Sequence, residues 1–156
     1  MAGPAKVSIR RAAPTDADAV RDLTRAAYAK WVPIAGREPS PMRADHAAAI
    51  RRHIVDLVEA GGALVALIEL VPEPGCLLIE NVAVRPEAQG QGLGDMLLGH
   101  AEDVAAELGL AELRLYTNAL FTANIDFYAR RGYREARRET IAPGAVAVHM
   151  RKALRE

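Results

Sequence analysis

The run RPEAQGQGLG, residues 85–94, sets glycine at positions 90, 92 and 94, between an apolar stretch, LLIENVAV, and a segment of helical periodicity. Glycine costs about 1 kcal/mol against alanine inside a helix, so its repetition at a helix start restricts what the chain can fold into. The first amides of a helix have no partner within it, and the positive end of the helix dipole lies behind them. Glycines leave those amides uncovered, and a strand leading into such a start makes a cradle for a phosphate or pyrophosphate. A flexible turn without a ligand is the alternative.

The flanking segments read as alternating elements. KVSIRRA alternates as a strand, and PTDADAVRDLTRAAY predicts a helix with Thr15 as N-cap and Asp16 and Asp18 in its first turn. Periodicity is lost from Ala29 to Met42, where a loop is expected, and RADHAAAIRRH predicts a second helix from Arg43. IVDLVEAGGALVALIEL reads as two strands joined at EAGG, VPEPG as a turn, and CLLIENVAV as another strand. After the glycines, Leu93, Met96, Leu97, His100, Ala101, Val104 and Leu108 form an apolar stripe, and Gly109 ends the helix. AELRLYT is then a strand, FTANIDFYARR a short helix stopped by Gly132, and YREARRETI with AVAVHMRK a closing strand pair. The order β-α-α-β-β-β-α-β-α-β-β predicts one mixed α/β domain over residues 1–156, with helices on the faces of a sheet.

Charge and cysteine usage narrow the partners. Lys plus Arg number 20 and Asp plus Glu number 20, so no net charge draws nucleic acid or an anionic membrane. Arg130, Arg131, Arg134, Arg137 and Arg138 make a local positive patch or a solvated face. MAGPAKVSIRR lacks a signal peptide's apolar core, and no window approaches the ~20 apolar residues of a membrane span. Cys76 is the single cysteine, which leaves no internal disulfide and fits a reducing compartment. A soluble, cytoplasmic protein is expected. His46, His53, His100 and His149 lack metal-ligand spacing, so no metal is expected. His100 is read as a hydrogen-bonded core residue and Cys76 as a buried, inert thiol.

Two common phosphate loops do not match. A Walker loop follows its last glycine with Lys and Ser or Thr, whereas Gly94 precedes Asp95. A dinucleotide fingerprint needs a third glycine three residues after the second, where this chain has Asp95 in one register and Leu97 in the other.

A third kind fits. VAVRPEAQGQGLG resembles the acetyl-CoA motif of the Gcn5-related N-acetyltransferases (GNAT), with Gln89, Gly92 and Gly94 in register. NIDFYARRGY resembles the same family's helix bearing a tyrosine, followed by glycine and an aromatic, here Tyr128, Gly132 and Tyr133. The resemblance runs from VSIRRAAPTDADAV to VHMRK and is weakest from Trp31 to Pro41.

It implies a single GNAT-like domain with a mixed, mostly antiparallel central sheet of about seven strands and about four flanking helices. The implied activity is transfer of acetyl from acetyl-CoA directly to a primary amine of a small molecule. A non-catalytic acyl-CoA sensor and acetylation of a protein or peptide amine are the alternatives. By resemblance, Val82, Ala83 and Val84 meet the pantetheine arm, and Gln89, Gly90, Gln91, Gly92, Leu93 and Gly94 the pyrophosphate. Asn124, one helical turn before Tyr128, is assigned to coenzyme A, since the asparagine of many relatives is replaced here by Phe121.

Tyr128 is the implied acid for the coenzyme A sulfur, a core tyrosine being the alternative. Glu80 is the base candidate, directly or through water, and Glu69 competes with it. Two residues before Val82 in an alternating strand, Glu80 is expected on the same face. The acceptor is assigned to Tyr28, Trp31, Arg37, Glu38 and Met42, with Arg37 able to hold a carboxylate. A homodimer through the terminal strands remains open.

Overall fold

In the computed structural model, which describes residues 6–154, seven strands form one sheet in the order β1-β2-β3-β4-β5-β7-β6. The strands are β1 (Val7–Arg11), β2 (Ile54–Ala60), β3 (Ala63–Glu73), β4 (Cys76–Val84), β5 (Glu112–Asn118), β6 (Arg134–Ala142) and β7 (Ala145–Ala153). Neighbours are antiparallel except β4 and β5, which run parallel. A parallel pair needs a crossover, and the long helix between these strands supplies it. The edges are β1 and β6, while β7 lies inside the sheet. Of the two terminal strands, only β1 therefore offers a free edge for pairing between copies.

Helix α1 spans Ala17–Tyr28, α2 Val32–Ala35, α3 Ser40–Arg43, α4 His46–Arg52, α5 Leu93–Glu107 and α6 Thr122–Ala129. The stretch expected as a loop thus holds two single-turn helices, α2 and α3, each with proline near its start, where the missing N–H costs nothing. Thr15 is not a cap. The Asp16 side chain caps no amide of α1 either but closes the 3-10 turn Pro14–Asp16 before it, accepting the Ala13 amide at 2.7 Å and gripping Arg10 at 2.8 and 2.9 Å. Helix α4 begins at His46 rather than Arg43, because Asp45 accepts the Ala48 amide at 3.0 Å and fixes the start there.

The β2–β3 hairpin turns on Gly61 and Gly62, with φ of 60° and 82°, a pair of left-handed positions that favours glycine. Pro72 lies within β3, opposite Leu77, and not in a turn. It is tolerated because β2 pairs β3 only as far as Leu70, so no ladder partner awaits its N–H.

Helix α5 covers one face of the sheet and α1 with α4 the other. Leu93, Leu97, Leu98, Ala101 and Ala105 are the buried residues of α5, packed over Ile68, Leu77 and Leu113. The stripe follows steps of four residues, which leaves Leu108 49% exposed instead of buried. Gly109 closes the helix at φ 70°, its amide bonding Ala106 and the Leu110 amide bonding Ala105. On the other face Val20, Leu23 and Ala27 of α1 meet Val55, Leu57, Leu67 and Ala83.

Two irregularities in β4 prepare the site. Glu69 pairs Asn81 while Leu70 pairs Ile79, so Glu80 is an extra residue bulging from the ladder. Leu77 and Ile79 face α5 before the bulge, Val82 and Val84 after it, and Ala83 faces α1. Side-chain parity switches at Glu80. The second irregularity is that β4 and β5 pair only from Cys76 with Glu112 to Ile79 with Leu115. Beyond that point β4 stays on β3, β5 stays on β7, and the sheet splits between them.

Candidate active site

The cleft between the parted strands holds two cavities. One, of about 440 Å³, lies over the start of α5 and is lined by Val82, Val84, Gln89, Gly90, Gly92 and Gly94, among others. The second, of about 300 Å³, lies toward α3 and the β6–β7 hairpin and includes Arg37, Arg43, Glu80, Tyr116 and Ile141. Tyr28, Val82, Asn124 and Tyr128 line both, so the cavities meet there.

The larger cavity suits a pyrophosphate. Gly92 is the N-cap of α5, has φ 83° and offers no side chain to the first-turn amides. Gly90 has φ 81°, and a Cβ at either position would meet nothing within 4 Å. These two glycines serve the loop's left-handed turns. Gly94 is different: a Cβ there would stand 2.9 Å from Cζ of Phe127, so this glycine admits the ring of α6 against α5. Lys30, Arg131 and Asp95 also line the cavity. Lys30 Nζ donates to Gln89 Oε1 at 3.2 Å, and Gln89 Nε2 donates to the Val84 carbonyl at 3.1 Å. Arg131 lies over the Phe127 ring at 3.5 Å and pairs with Asp95. The side of β4 turned from β3 has no strand partner from Glu80 onward, which leaves its polar backbone free for an extended ligand beside Val82 and Val84.

Tyr128 is held by the end of its helix. The Tyr133 amide donates to the Tyr128 carbonyl at 3.1 Å and the Gly132 amide to Ala129 at 3.2 Å, with Gly132 at φ 95°. The reversal sets the Tyr133 ring edge-on to Tyr128 at 5.7 Å, while Phe127 meets it edge-on at 5.3 Å. Burial pushes the Tyr128 phenol up to about 12.

Glu80 does not share the face of Val82, because the bulge intervenes. It reaches the second cavity because the sheet is open there, and it accepts the Tyr116 hydroxyl at 3.0 Å. Burial raises its pKa above the ordinary carboxylate value, and the Tyr116 bond opposes that rise. Tyr116 in turn is pushed up to about 12, first by burial and then by the Glu80 charge.

The other expected residues are distributed unevenly. Tyr28 donates to Asn81 Oδ1 at 2.8 Å, and Asn81 donates to Thr24 at 3.3 Å. Trp31 is buried in the larger cavity's wall, stacked on Phe121 at 4.4 Å, and does not line the second cavity. Arg37 lines the second cavity and donates to the Pro143 carbonyl at 3.2 Å, and Glu38 lines it while paired with Arg25 at 2.7 Å. Met42 is buried and lines neither cavity, Ala83 packs on α1, and Gln91 is exposed outside the lining.

Several participants were missed from sequence. Asn81 is 3% exposed and stands beside Glu80 in a strand apolar elsewhere, a visible oddity in LLIENVAV. Tyr116 and Lys30 gave no signal, since their places come from packing across the split, and Arg131 was visible only as one member of the basic cluster. His100 bonds Asp56 at 2.7 Å on the α5 face. Cys76 is buried, and burial raises its thiol pKa, which disfavours the reactive thiolate. The arginine cluster is partly neutralised, Arg131 by Asp95, Arg138 by Glu135 and Arg137 by Glu139. Among the described residues no group of three or more His, Cys, Asp or Glu is placed to hold a metal, and no helix is long and apolar enough to cross a membrane.

Comparison with known proteins gives this arrangement its relatives. The family model described as "Acetyltransferase (GNAT) family" matches residues 17–133. The PaiA N-acetyltransferase of Thermoplasma acidophilum, solved with coenzyme A, superposes with a TM-score of 0.80 at 19% identity, over 96% of this chain and 99% of that one. The ribosomal-protein-S18-alanine N-acetyltransferase of Escherichia coli gives 0.77 at 25% identity, over 95% and 94% of the two chains. A GNAT acetyltransferase of Elizabethkingia anophelis with acetyl-CoA bound gives 0.70 at 16% identity, over 95% and 98%.

Proposed function

Because this chain belongs to the acetyltransferase (GNAT) family, we propose that it transfers the acetyl group of acetyl-CoA to a primary amine of a small molecule, with Tyr128 as general acid and Glu80 as base. The observation that carries this reading is the meeting of the two cavities at Tyr28, Val82, Asn124 and Tyr128. A donor on one side and an acceptor on the other can touch only there.

The residues divide the work. Gly90 and Gly92 expose the α5 amides to a pyrophosphate, with Lys30 and Arg131 as further cations at the cavity wall. The free edge of β4 at Val82 and Val84 takes the extended arm, and Asn124 stands between the cavities. Acetyl-CoA supplies a thioester whose carbonyl accepts the amine and whose thiolate leaves. Glu80 receives a proton from the amine, which must be neutral to attack. Tyr128 stays protonated through the neutral range and holds a proton at its hydroxyl for the departing sulfur. The Tyr28–Asn81–Thr24 chain of hydrogen bonds stiffens the shared wall.

The second cavity, which this reading gives to the acceptor, is lined by two guanidiniums, Arg37 and Arg43, and by apolar Ile79, Leu115, Phe121 and Ile141. That chemistry favours an amine that also carries an apolar body and a carboxylate.

The test is thiol release from acetyl-CoA in the presence of a panel of amines, with calorimetric titration of acetyl-CoA against ATP as control. Selective acetyl-CoA binding with turnover on a free amine supports the reading. Binding without turnover on any amine, unaffected by Tyr128→Phe, makes the protein a sensor instead, and turnover only on peptide amines moves the acceptor class.

A further inference from the structure

A polar branch leaves the acceptor cavity behind Glu80. It encloses about 260 Å³ between α3, α4 and strands β3 and β4, and Glu80 and Asn81 line both it and the acceptor cavity. Across the bulge from Glu80 stands Glu69, the partner of Asn81 in the β3–β4 ladder. Glu69 Oε2 lies 2.6 Å from Nδ1 of His53. The Glu69 side chain is 9% exposed and that of His53 32%, so the pair leads outward. His46, 5% exposed, faces the same space, and neither of its ring nitrogens has a hydrogen-bond partner among the described residues. At about 260 Å³, and with Asp45, His53, Glu69, Glu80 and Asn81 in its lining, the branch is roomy and polar enough to hold water. Asp45 and Arg52 face the branch from α4, Tyr116 faces Glu80 from β5, and Arg21 of α1 and Glu73 of β3 add longer-range charge.

The proposed reaction gives this branch a task. An alkylamine has a pKa near 10 and reaches the protein as ammonium. Forming the amide from R–NH3+ and a thioester makes an N–C bond from the nitrogen lone pair and breaks the C–S bond with its electrons on sulfur. One nitrogen proton ends on sulfur as the thiol, one stays on the amide, and the third must reach solvent. With substrates filling the two larger cavities, that third proton needs a separate route.

We propose that the branch is this route: Glu80 takes the proton from the ammonium, solvent in the branch carries it to Glu69, Glu69 hands it to His53, and the other ring nitrogen of His53 releases it to bulk water. This rests on the acetyl-transfer reading above. Glu69 and His53 act through Glu80, touch no substrate, and are relay residues. Imidazole is suited to the outer position because it both accepts and donates near neutral pH.

The experiment measures thiol release by the full chain and by its His53→Ala and Glu69→Gln variants, with acetyl-CoA and whichever of phenethylamine, L-glutamate, spermidine or kanamycin the native chain acetylates. In His53→Ala the expected kcat falls about 10²-fold, with KM for acetyl-CoA unchanged. Added imidazole restores much of the rate in proportion to its free-base concentration, and leaves the native rate unmoved. Glu69→Gln lowers kcat similarly and enlarges the solvent deuterium isotope effect. If circular dichroism shows His53→Ala unfolded, His53→Gln and Glu69→Gln decide the matter through the isotope effect and the acid limb of kcat. A folded His53 variant within about twofold of the native kcat overturns the relay, as does a loss that imidazole does not rescue and that leaves the pH profile unchanged. Native turnover with either result removes the relay alone. No turnover by the native chain on any amine removes the acetyl-transfer reading, and the relay with it.

Discussion

Tyr128 carries two consequences of one burial. A phenol pushed up to about 12 is protonated throughout the neutral range, yet it is a weaker acid than a thiol of pKa near 8.5. Protonating a thiolate from it is uphill unless a second proton replaces the first in the same event, which ties Tyr128 to an amine that is itself losing protons. Tyr128→Phe is expected to lower kcat about 10²-fold while leaving the acetyl-CoA dissociation constant unchanged. The native profile should show no alkaline loss from Tyr128 up to about pH 10, two units below that pKa. Glu80 gives the opposite limb. Its raised pKa means that activity falls, as pH drops, sooner than an ordinary carboxylate would make it. The Tyr116 hydrogen bond stabilises the charged carboxylate, so Tyr116→Phe raises that pKa further and moves the acid limb of kcat/KM to higher pH. An unmoved limb in that variant shows that Glu80 is not the titrating base.

At the scale of elements, the glycine loop separates into parts with different failures. Gly94→Ala drives a Cβ to 2.9 Å from Phe127, a ring pinned by Arg131 on one side and Tyr128 on another. The expected cost is about 1–2 kcal/mol in urea unfolding, together with a lowered kcat from the displaced tyrosine. Gly92→Val meets no neighbour but forces a β-branched residue to φ 83° at the helix start. Weakened acetyl-CoA binding, measured by calorimetry, is its principal expected effect. Equal losses of stability in the two variants would show that Gly94 has no special packing role. The order of the strands and the strand–glycine–helix unit were readable because period-two and period-four patterns are written locally. The single-turn helices in residues 32–43 were not, since a proline in the first turn of each and, for α3, packing on α1 make them, and neither produces a period. Nor was the bulge: nothing local in LLIENVAV tells that Glu80 is the residue without a ladder partner, which is a property of its pairing with β3. The expected face of Glu80 failed for that reason, although its place in the cleft held. Trp31 and Met42 were assigned to the acceptor because the resemblance gives that role to the first two helices and the loop between them; the first stacks on Phe121 and the second is the buried residue of α3.

The whole molecule is a sheet of two halves, β1 to β4 and β5 to β7, joined by four residue pairs between Cys76–Ile79 and Glu112–Leu115. Past that short seam, contact between the halves depends on side chains such as Tyr116 and Glu80, and on α5 and α6 packing over it. Acetyl-CoA at 100 times its dissociation constant is expected to stabilise the protein by about 2.7 kcal/mol, or roughly 5–10 °C in Tm for a chain of this size, with ATP giving no shift. Absence of a shift despite calorimetric binding would mean that the unfolded chain binds the donor as well, or that unfolding is irreversible and not governed by the equilibrium. On the acetyl-transfer reading proposed above, the split sheet makes the donor a missing strand of the fold as well as a reactant. A protease that cuts the opened form should work more slowly as acetyl-CoA rises, so the lifetime of the protein becomes a readout of how much donor surrounds it.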